Sequence, residues 1–375
     1  MSFRENLKAF VHDFSYLQKR LLKLRTNQGY LIPDTKMEEF LDVAEKVVLE
    51  KKEKYKELKV GVVKDGTNFP GLTEMRAYFP KYERFLKTNN INYEYYDILK
   101  DNWQEEAKKY DVIIWHTNSD PATQFIAGNK FYVLDKLMGK KCLPSFDELW
   151  SYEDKINMHY LYDHHKLPGI PTFVSHSKED ALNYVEKAKF PIVSKLVTGS
   201  GSEGVEKFDS KSKAIKFVNK AFSYKGAKTC YPFQRQKDYV LFQEFIDDAT
   251  YDLRIIVIGN KLLGYYRYPN EGDFRASGSG KYGKKEIAVE ALNLAFKVKE
   301  LFTATCLATD LLYSAKEQKY YIIESSIFIG VDTASQLEID GVAGYYERIN
   351  EGEYIFKEGK YWIQELTLNE LFNNL

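Results

Sequence analysis

A run of glycines and serines directly follows an apolar segment that carries a lysine. The segment FPIVSKLV (190–197) predicts a strand that delivers Lys195, and TGSGSEGV (198–205) comes next. Its glycines lack side chains, so backbone N–H groups can approach phosphate oxygens beside the positive charge of Lys195. The run has neither the ending of a Walker loop nor the direct helix start of a dinucleotide-binding turn. Phosphate binding is one interpretation, and a flexible hairpin loop with an incidental lysine is the other.

A second strand ends in residues that suit a purine. The apolar run YVLFQEFI (239–246) predicts a strand whose last four residues are Gln-Glu-Phe-Ile. Backbone groups leaving such a strand can hydrogen-bond the edge of an adenine, and Phe245 and Ile246 offer apolar contact. Asp252 lies close enough in the chain to accept hydrogen bonds from ribose hydroxyls.

Charged side chains of both signs come later in the chain. Arg267 and Arg275 bracket a glycine-rich polar stretch, and two guanidinium groups suit a polyphosphate or a carboxylate. Asp310 and Glu324 each stand at the end of a predicted strand, in CLATDLLYS and KYYIIESSIF. Because paired carboxylates near phosphates are how Mg²⁺ is normally held, the sequence predicts a magnesium–nucleotide site.

Alternating strand and helix patterns precede these motifs. Apolar runs at 58–65, 92–99 and 111–116 predict strands, and a helical pattern over 74–89 separates the first two. This order implies a small parallel sheet, which places ligands at the carboxyl ends of its strands. His116 follows the last of these strands, so we weigh contact with a substrate against simple packing for this residue.

A second unit opens near Tyr152 with a helical pattern. Ser177 caps the next predicted helix, and another helix is predicted over 211–222. Two apolar runs on either side of 259–260 predict a hairpin. A last helix is predicted over 284–302, before the two strands that carry the acidic pair.

The first 57 residues read as a helical extension, with one helix near the start and another over 36–59. Large apolar side chains recur there at steps of three and four, at Phe3, Leu7, Phe10, Phe14, Leu17 and Leu21. Such a face packs on its own domain or on a second subunit, which makes a homodimer possible. Nearby lysines and arginines leave a membrane surface as the alternative.

Composition narrows the class of protein. The 375 residues balance 54 basic against 54 acidic side chains, so there is no general attraction to nucleic acid or to an anionic membrane. Three widely spaced cysteines argue against a disulfide scaffold and favour a reducing compartment. No segment approaches ~18 uncharged apolar residues, so no transmembrane segment is expected. We therefore expect a cytoplasmic chain of two or three domains.

Taken in order, the motifs resemble those of the ATP-grasp superfamily over residues 58–345. The resemblance depends on EDKINMHYLYDHHKLPGIPTFV, FPIVSK, TGSGSEG, QEFI, DLR, EGDFRASGSG, ATD and IES. The EGDFR stretch is most similar to the branch that adds glutamate to the C-terminus of a ribosomal protein. The D-alanine–D-alanine ligases are more distant relatives.

The resemblance implies an ATP-grasp fold of the α/β and α+β classes, in which an N-terminal parallel α/β domain precedes two α+β subdomains that clasp ATP. Four divisions follow for this chain. They are a helical extension (1–57), an α/β domain (58–150), a first subdomain with a phosphate lid loop (151–240) and a second subdomain with the magnesium site (241–375).

The resemblance also implies which side chains bind the nucleotide. These are Lys155, Lys195, Gly199, Ser200, Gly201, Gln243, Glu244, Phe245, Ile246, Asp252 and Arg275. In this arrangement the lysines reach the phosphates of ATP, and the loop at 198–204 folds over them as a lid. Glu244 faces the adenine amino group, and Asp252 binds ribose.

Catalytic and metal-binding residues are implied in the same way. Arg267, Arg275 and Lys195 are the implied catalytic residues, and Asp310, Glu324 and Ser326 are the implied ligands of Mg²⁺ or Mn²⁺. The family usually has asparagine two residues after the glutamate, where this chain has Ser326. A serine hydroxyl is a shorter and weaker ligand, so we expect a second metal ion to bind loosely or water to fill the gap.

The function that the resemblance implies is an ATP-dependent carboxylate–amine ligase. ATP phosphorylates a carboxylate, and an amine displaces phosphate to give an amide or peptide bond. The substrates are then a small-molecule or peptide carboxylate and an amine. Two alternatives stay open: an ATP-binding scaffold or sensor without activity, motivated by Ser326, and a kinase that phosphorylates a hydroxyl.

Overall fold

The N-terminal segment packs along the surface of the domain that follows it. The computed structural model describes residues 14–66, 69–199, 204–231, 234–329 and 338–375. The segment contains α1 (Ser15–Asn27), β1 (Leu31–Pro33), a 3₁₀ turn (Asp34–Lys36), α2 (Met37–Leu41) and a second 3₁₀ turn (Lys52–Tyr55). Of the predicted apolar face, the part before residue 14 lies outside the described residues.

The helix predicted over 36–59 is wrong, because most of this stretch is irregular. Its backbone finds partners elsewhere: the N–H of Val47 donates to Glu365 and that of Leu49 donates to Asn89, at 3.2 and 2.8 Å. Both apolar side chains are buried. Tertiary hydrogen bonds therefore replace the helical ones that the prediction required.

A four-stranded parallel sheet forms the next unit, with strand order β4-β2-β5-β6. This confirms the predicted parallel sheet. Glycine at 61 lets the ring of Tyr110 lie against the central strand, since a Cβ there would be 2.8 Å from that ring. The elements are β2 (Lys59–Val63), β3 (Leu72–Glu74), α3 (Phe79–Thr88), β4 (Asn92–Tyr95), α4 (Trp103–Ala107), β5 (Val112–Trp115), α5 (Pro121–Phe131), a π-helical turn (Tyr132–Leu137), β6 (Lys141–Leu143) and α6 (Phe146–Ser151).

The first antiparallel subdomain has strand order β7-β12-β8-β9, covered by two helices. The predicted cap is present, because the hydroxyl of Ser177 accepts the N–H of Asp180 at 3.2 Å. The buried rings and β-branched side chains of β8 and β12 form its core with α8 and α9. The elements are α7 (Lys155–His164), β7 (Thr172–Ser175), α8 (Lys178–Lys187), β8 (Ile192–Lys195), β9 (Val205–Phe208), α9 (Lys211–Ala221), β10 (Ala227–Lys228), β11 (Arg235–Gln236) and β12 (Val240–Glu244).

The second antiparallel subdomain is an eight-stranded sheet with main order β17-β16-β13-β14-β19-β18. The predicted hairpin turns at Gly259, whose φ of +54° suits glycine. The predicted last helix begins five residues late, at Val289. The elements are β13 (Asp252–Ile258), β14 (Lys261–Arg267), β15 (Tyr282–Gly283), α10 (Val289–Leu301), β16 (Cys306–Ser314), β17 (Lys319–Ser326), β18 (Glu338–Ile339), β19 (Val342–Asn350), β20 (Glu353–Glu358) and α11 (Ile363–Asn373).

Backbone hydrogen bonds tie the two antiparallel subdomains together beside α7. The N–H of Ile170 donates to the carbonyl of Ile322, and the N–H of Ile322 donates to Pro168, at 3.0 and 2.8 Å. In the part of the chain that the structure describes, no helix is long and apolar enough to cross a membrane.

Candidate active site

A cleft of about 330 Å³ lies between the two antiparallel subdomains. The predicted site residues along its walls are Lys155, Lys195, Gly199, Gln243, Glu244, Phe245, Ile246, Asp252, Arg267, Arg275, Asp310 and Glu324. Ser200 and Gly201 lie outside the described residues, so the lid loop stays a prediction. Ser326 does not line this cleft.

Two lysines form one end of the cleft. Lys155 is the first residue of α7, whose start is fixed by the Asp154 carboxylate accepting two backbone N–H groups. Its ammonium donates to the carbonyl of Gly199 at 2.6 Å and lies 3.8 Å from a carboxylate oxygen of Glu324. Lys195, the last residue of β8, is buried. This end therefore combines two ammonium groups, the start of the glycine-rich loop and one carboxylate.

Burial sets the protonation behaviour of Lys195. Removal from water lowers the pKa of its ammonium to about 8, which the charge of Glu324 partly opposes and that of Lys155 reinforces. The group is charged at neutral pH and close to losing its proton above it.

The opposite end of the cleft is a strand end with aromatic cover. The N–H of Glu244 donates to Pro171 at 3.0 Å, and the amide of Gln243 donates to Thr172 at 3.0 Å. Beyond them, the ring of Phe245 packs edge-on against Phe274 with centroids 5.6 Å apart. The end of β12 is thus held in place, and residues 243–246 line the cleft, where Phe245 and Ile246 offer apolar contact.

The floor of the cleft is a buried ionic network. Arg254 donates to both carboxylate oxygens of Asp310 at 2.7 Å, and Arg267 donates to one of them at 2.6 Å. Arg267 also donates to Asp252. The pKa of Asp310 is held well below its usual range because the two arginines outweigh the effect of burial. Burial raises the pKa of Asp252 despite Arg267.

The structure corrects the expected position of Asp310. It stands in the middle of β16, opposite Arg254 on one neighbouring strand and Glu324 on the other. Sequence reasoning placed it at a strand end and gave Arg254 no role. The alternation of side chains along β13 was the available signal, because it puts residues 252 and 254 on one face of the sheet.

The acidic pair is suited to a divalent cation. Asp310 and Glu324 face each other in the strand register, and Glu324 keeps 31% of its side chain exposed. Oδ1 of Asp310 accepts one hydrogen bond, from Arg254, so a lone pair is left for a cation. Within the described ranges, no three histidine, cysteine or acidic side chains are grouped to hold a metal by themselves. Two carboxylates combined with phosphate oxygens do fit Mg²⁺.

Ser326 and Arg275 stand apart from that pair. The hydroxyl of Ser326 donates to the carbonyl of Phe328 at 2.7 Å and accepts its N–H at 3.3 Å, so it closes a turn. Arg275 lies at the rim, where it pairs with Asp273 at 2.9 Å. Neither side chain contacts the acidic pair in this arrangement.

Two subdomains that enclose a lysine-lined cleft with an acidic pair define the ATP-grasp class of ligases. The family model of the RimK-like ATP-grasp domain matches residues 152–343, just over half of the chain. The chain therefore belongs to the RimK-like ATP-grasp family. This confirms the predicted fold and its place near the ribosomal-protein glutamate ligase branch.

Two curated relatives are similar to this chain in sequence, and one solved structure shares its fold. The alpha-aminoadipate–LysW ligase LysX of Saccharolobus solfataricus is 28% identical over 222 residues, covering 57% of this chain and 72% of that protein. A probable alpha-L-glutamate ligase of Legionella pneumophila is 27% identical over 176 residues, 45% of this chain and 54% of that protein. The D-cycloserine synthetase DcsG shares the fold, with a TM-score of 0.53, 13% identity and coverage of 76% and 95%.

The class of reaction follows from the family and the relatives. One curated relative is named a ligase and the other a probable ligase, and the family model is that of an ATP-grasp domain. The chain is an ATP-dependent carboxylate–amine ligase, as predicted. The kinase and the scaffold without activity are the interpretations that this assignment replaces.

Proposed function

We propose that this ligase binds Mg²⁺–ATP in the cleft with the phosphates at the lysine end and the adenine at the end of β12. The observation that carries the proposal is the convergence of Lys155, Lys195 and the acidic pair at one end of a single cleft. Ammonium groups and exposed N–H groups stabilise phosphate oxygens, whereas an apolar strand end suits a purine.

The two lysines approach the proposed phosphate position from different sides. Lys155 reaches across from α7 and can exchange its bond to the Gly199 carbonyl for one to a phosphate oxygen. Lys195 approaches from the buried side, where low polarity strengthens its attraction to a phosphate. Both charges are present before the nucleotide arrives, so little reorganisation accompanies the reaction.

Asp310 and Glu324 are the proposed ligands of Mg²⁺, which when bound neutralises charge on the transferring phosphoryl group. Arg254 and Arg267 hold Asp310 in place through three hydrogen bonds. Ser326 as a further ligand, and Mn²⁺ as a substitute ion, stay predictions. Ribose binding by Asp252 requires that it accept further hydrogen bonds beside the one from Arg267.

The chain's residues position and stabilise charge, and no side-chain nucleophile is needed. A carboxylate oxygen of the substrate attacks the γ-phosphorus of ATP, and the bond between that phosphorus and the bridging oxygen of ADP breaks, which releases ADP and leaves an acyl phosphate. The amine then attacks the acyl carbon, loses a proton and displaces phosphate. Arg267 in the floor and Arg275 at the rim are placed to stabilise the charge that develops on these oxygens.

The substrates are a small-molecule or peptide carboxylate and an amine. The printed names of the relatives refer to alpha-aminoadipate and to alpha-L-glutamate, and both are amino acids. These names support an amino acid as one of the two substrates here. A homodimer formed through the N-terminal segment and a cytoplasmic location remain predictions.

Hydroxylamine tests this proposal without knowledge of the natural amine. It attacks an acyl phosphate to give a hydroxamate, so only the carboxylate has to be found. We expect pools of amino acids and peptides with Mg²⁺–ATP and hydroxylamine to yield hydroxamate and ADP in equal amounts. Lys195→Ala should yield neither. ADP formation with no hydroxamate from any carboxylate pool would contradict an acyl phosphate.

A further inference from the structure

We propose that a cluster of four aromatic rings positions the phosphate and metal end of the cleft. This aromatic junction consists of Tyr78 and His116 from the parallel-sheet domain, Tyr152 before α7, and Phe328 after β17. Its members are positioning residues, because they act through Lys155 and Glu324. The inference rests on the proposed function of that end of the cleft.

Phe328 is the centre of the aromatic junction. The centroid of its ring lies 3.9 Å from that of the His116 imidazole and 5.0 Å from that of the Tyr152 ring, which meets it edge-on at 89°. His116 in turn stacks on Tyr78 with centroids 3.3 Å apart and planes within 10°. One ring thus touches the end of β5 on one side and the approach to α7 on the other.

Hydrogen bonds fix the backbone around this ring. The hydroxyl of Tyr78 donates to the carbonyl of Ile329 at 2.8 Å. Two residues before Phe328, the hydroxyl of Ser326 bonds both its N–H and its carbonyl. The backbone N–H of Tyr78 itself donates to Asp65 at 2.8 Å. The chain that leaves β17 is therefore held at successive residues by side chains that are themselves fixed.

The aromatic junction reaches both members of the lysine–carboxylate pair. Glu324 lies four residues before Phe328, and Lys155 lies three residues after Tyr152. The ammonium of that lysine and the carboxylate are 3.8 Å apart. A shift of Phe328 against Tyr152 therefore changes the spacing of the two groups that we assign to the phosphates and the metal.

His116 serves the aromatic junction as a neutral ring. It is 92% buried, and its Nδ1 has no hydrogen-bond partner. Burial lowers the pKa of this histidine well below its usual value, so the ring carries no charge against its aromatic neighbours. An unsatisfied buried nitrogen is costly, and the two ring contacts offset that cost.

The end of the cleft assigned to adenine does not depend on these contacts. It is built from β12, its neighbour Pro171 and the ring of Phe274 against Phe245, none of which belongs to the aromatic junction. A disturbed aromatic junction should therefore weaken binding of a triphosphate and leave binding of a monophosphate unchanged. Loss of the overall fold would weaken both, which separates a positioning role from a structural one.

The test compares the Kd of Mg²⁺–AMP-PNP with the Kd of AMP by calorimetry. Tyr78→Phe removes the hydroxyl that bonds Ile329 and keeps the ring, and Phe328→Leu removes the central ring. We expect both variants to raise the Kd of AMP-PNP, about threefold to tenfold for Tyr78→Phe and more for Phe328→Leu. The Kd of AMP should stay within about twofold.

Tyr96→Phe is the matched control. It removes a hydrogen bond of 2.7 Å from the hydroxyl of Tyr96 to the backbone carbonyl of Trp103. This bond lies in the same domain as Tyr78 but away from the cleft. Both Kd values of this variant should equal those of the wild type. Unchanged AMP-PNP binding in Tyr78→Phe and Phe328→Leu, or equal weakening of both nucleotides, overturns the inference. A wild type that does not bind AMP-PNP overturns the proposed function and the inference together.

Discussion

Replacing Asp310 with asparagine should cost stability as well as activity, whereas replacing Glu324 with glutamine should cost activity alone. Asp310 accepts three charged hydrogen bonds of 2.6 to 2.7 Å and is 4% exposed. Glu324 is 31% exposed, and its ionic contact with Lys155 is 3.8 Å long. Their surroundings differ although both are assigned to the metal.

The expected size of the effect follows from the partners left behind. Asp310→Asn removes the charge between Arg254 and Arg267, so Arg254 loses its ion pair and Arg267 keeps the one with Asp252. Breaking a buried ion pair in this way costs about 3–5 kcal/mol of the free energy of unfolding. Glu324→Gln loses a long, partly exposed contact, for which less than about 1 kcal/mol is expected.

Urea unfolding followed by circular dichroism measures the free energy of unfolding of each variant. In parallel, Mg²⁺-dependent ADP formation should be lost in both variants. Equal stability of Asp310→Asn and the wild type, within about 1 kcal/mol, would refute the account of the buried network. Full ADP formation in Glu324→Gln would refute the assignment of the metal ligands.

Three further predictions concern the phosphate end. The affinity of the wild type for Mg²⁺–AMP-PNP should fall above about pH 8, because Lys195 then loses its proton. Lys195→Arg should abolish this pH dependence, and a wild-type affinity that does not change with pH would contradict the prediction. Ser326→Ala should raise the Mg²⁺ concentration for half-maximal ADP formation by more than about twofold, because its hydroxyl holds the backbone of Phe328; an unchanged concentration contradicts this. Gly204→Ala should lower the urea midpoint, since φ is +74° and a Cβ would lie 2.5 Å from Leu196; an unchanged midpoint argues against the strain.

The sign of the pH effect on stability is also fixed for Lys195. Its pKa in the folded chain, about 8, is below the usual value of 10.5, so the unfolded chain holds the proton more tightly. The free energy of unfolding should therefore rise with pH between these two values. Lys195→Met should remove this rise, and an identical pH profile in the variant would contradict the burial argument.

Continuous apolar runs made most of the strands predictable from the sequence. The strands β13, β14, β16 and β17 read as apolar runs, because each is buried in the sheet that carries the site. The segment over 36–59 could not be predicted, since side chains of Glu365 and Asn89 satisfy its backbone from far away in the chain. No local pattern records such partners.

The candidate site was also predictable from the sequence only in part. Short motifs predicted a site with Lys155, Lys195 and the acidic pair, and the structure places these residues along one cleft. The pairing of Arg254 with Asp310 depends on strand register, which sequence spacing alone does not supply. The turn made by Ser326 likewise depends on the path of the chain after β17.

The most direct test of the central claim is the joint release of ADP and phosphate. Purified protein with Mg²⁺–ATP is assayed against pools of carboxylates and amines, with Lys195→Ala as the control. The account predicts turnover only when a carboxylate and an amine are both present, with ADP and phosphate formed in equal amounts. ADP formed without free phosphate, together with a phosphorylated hydroxyl product, would contradict it.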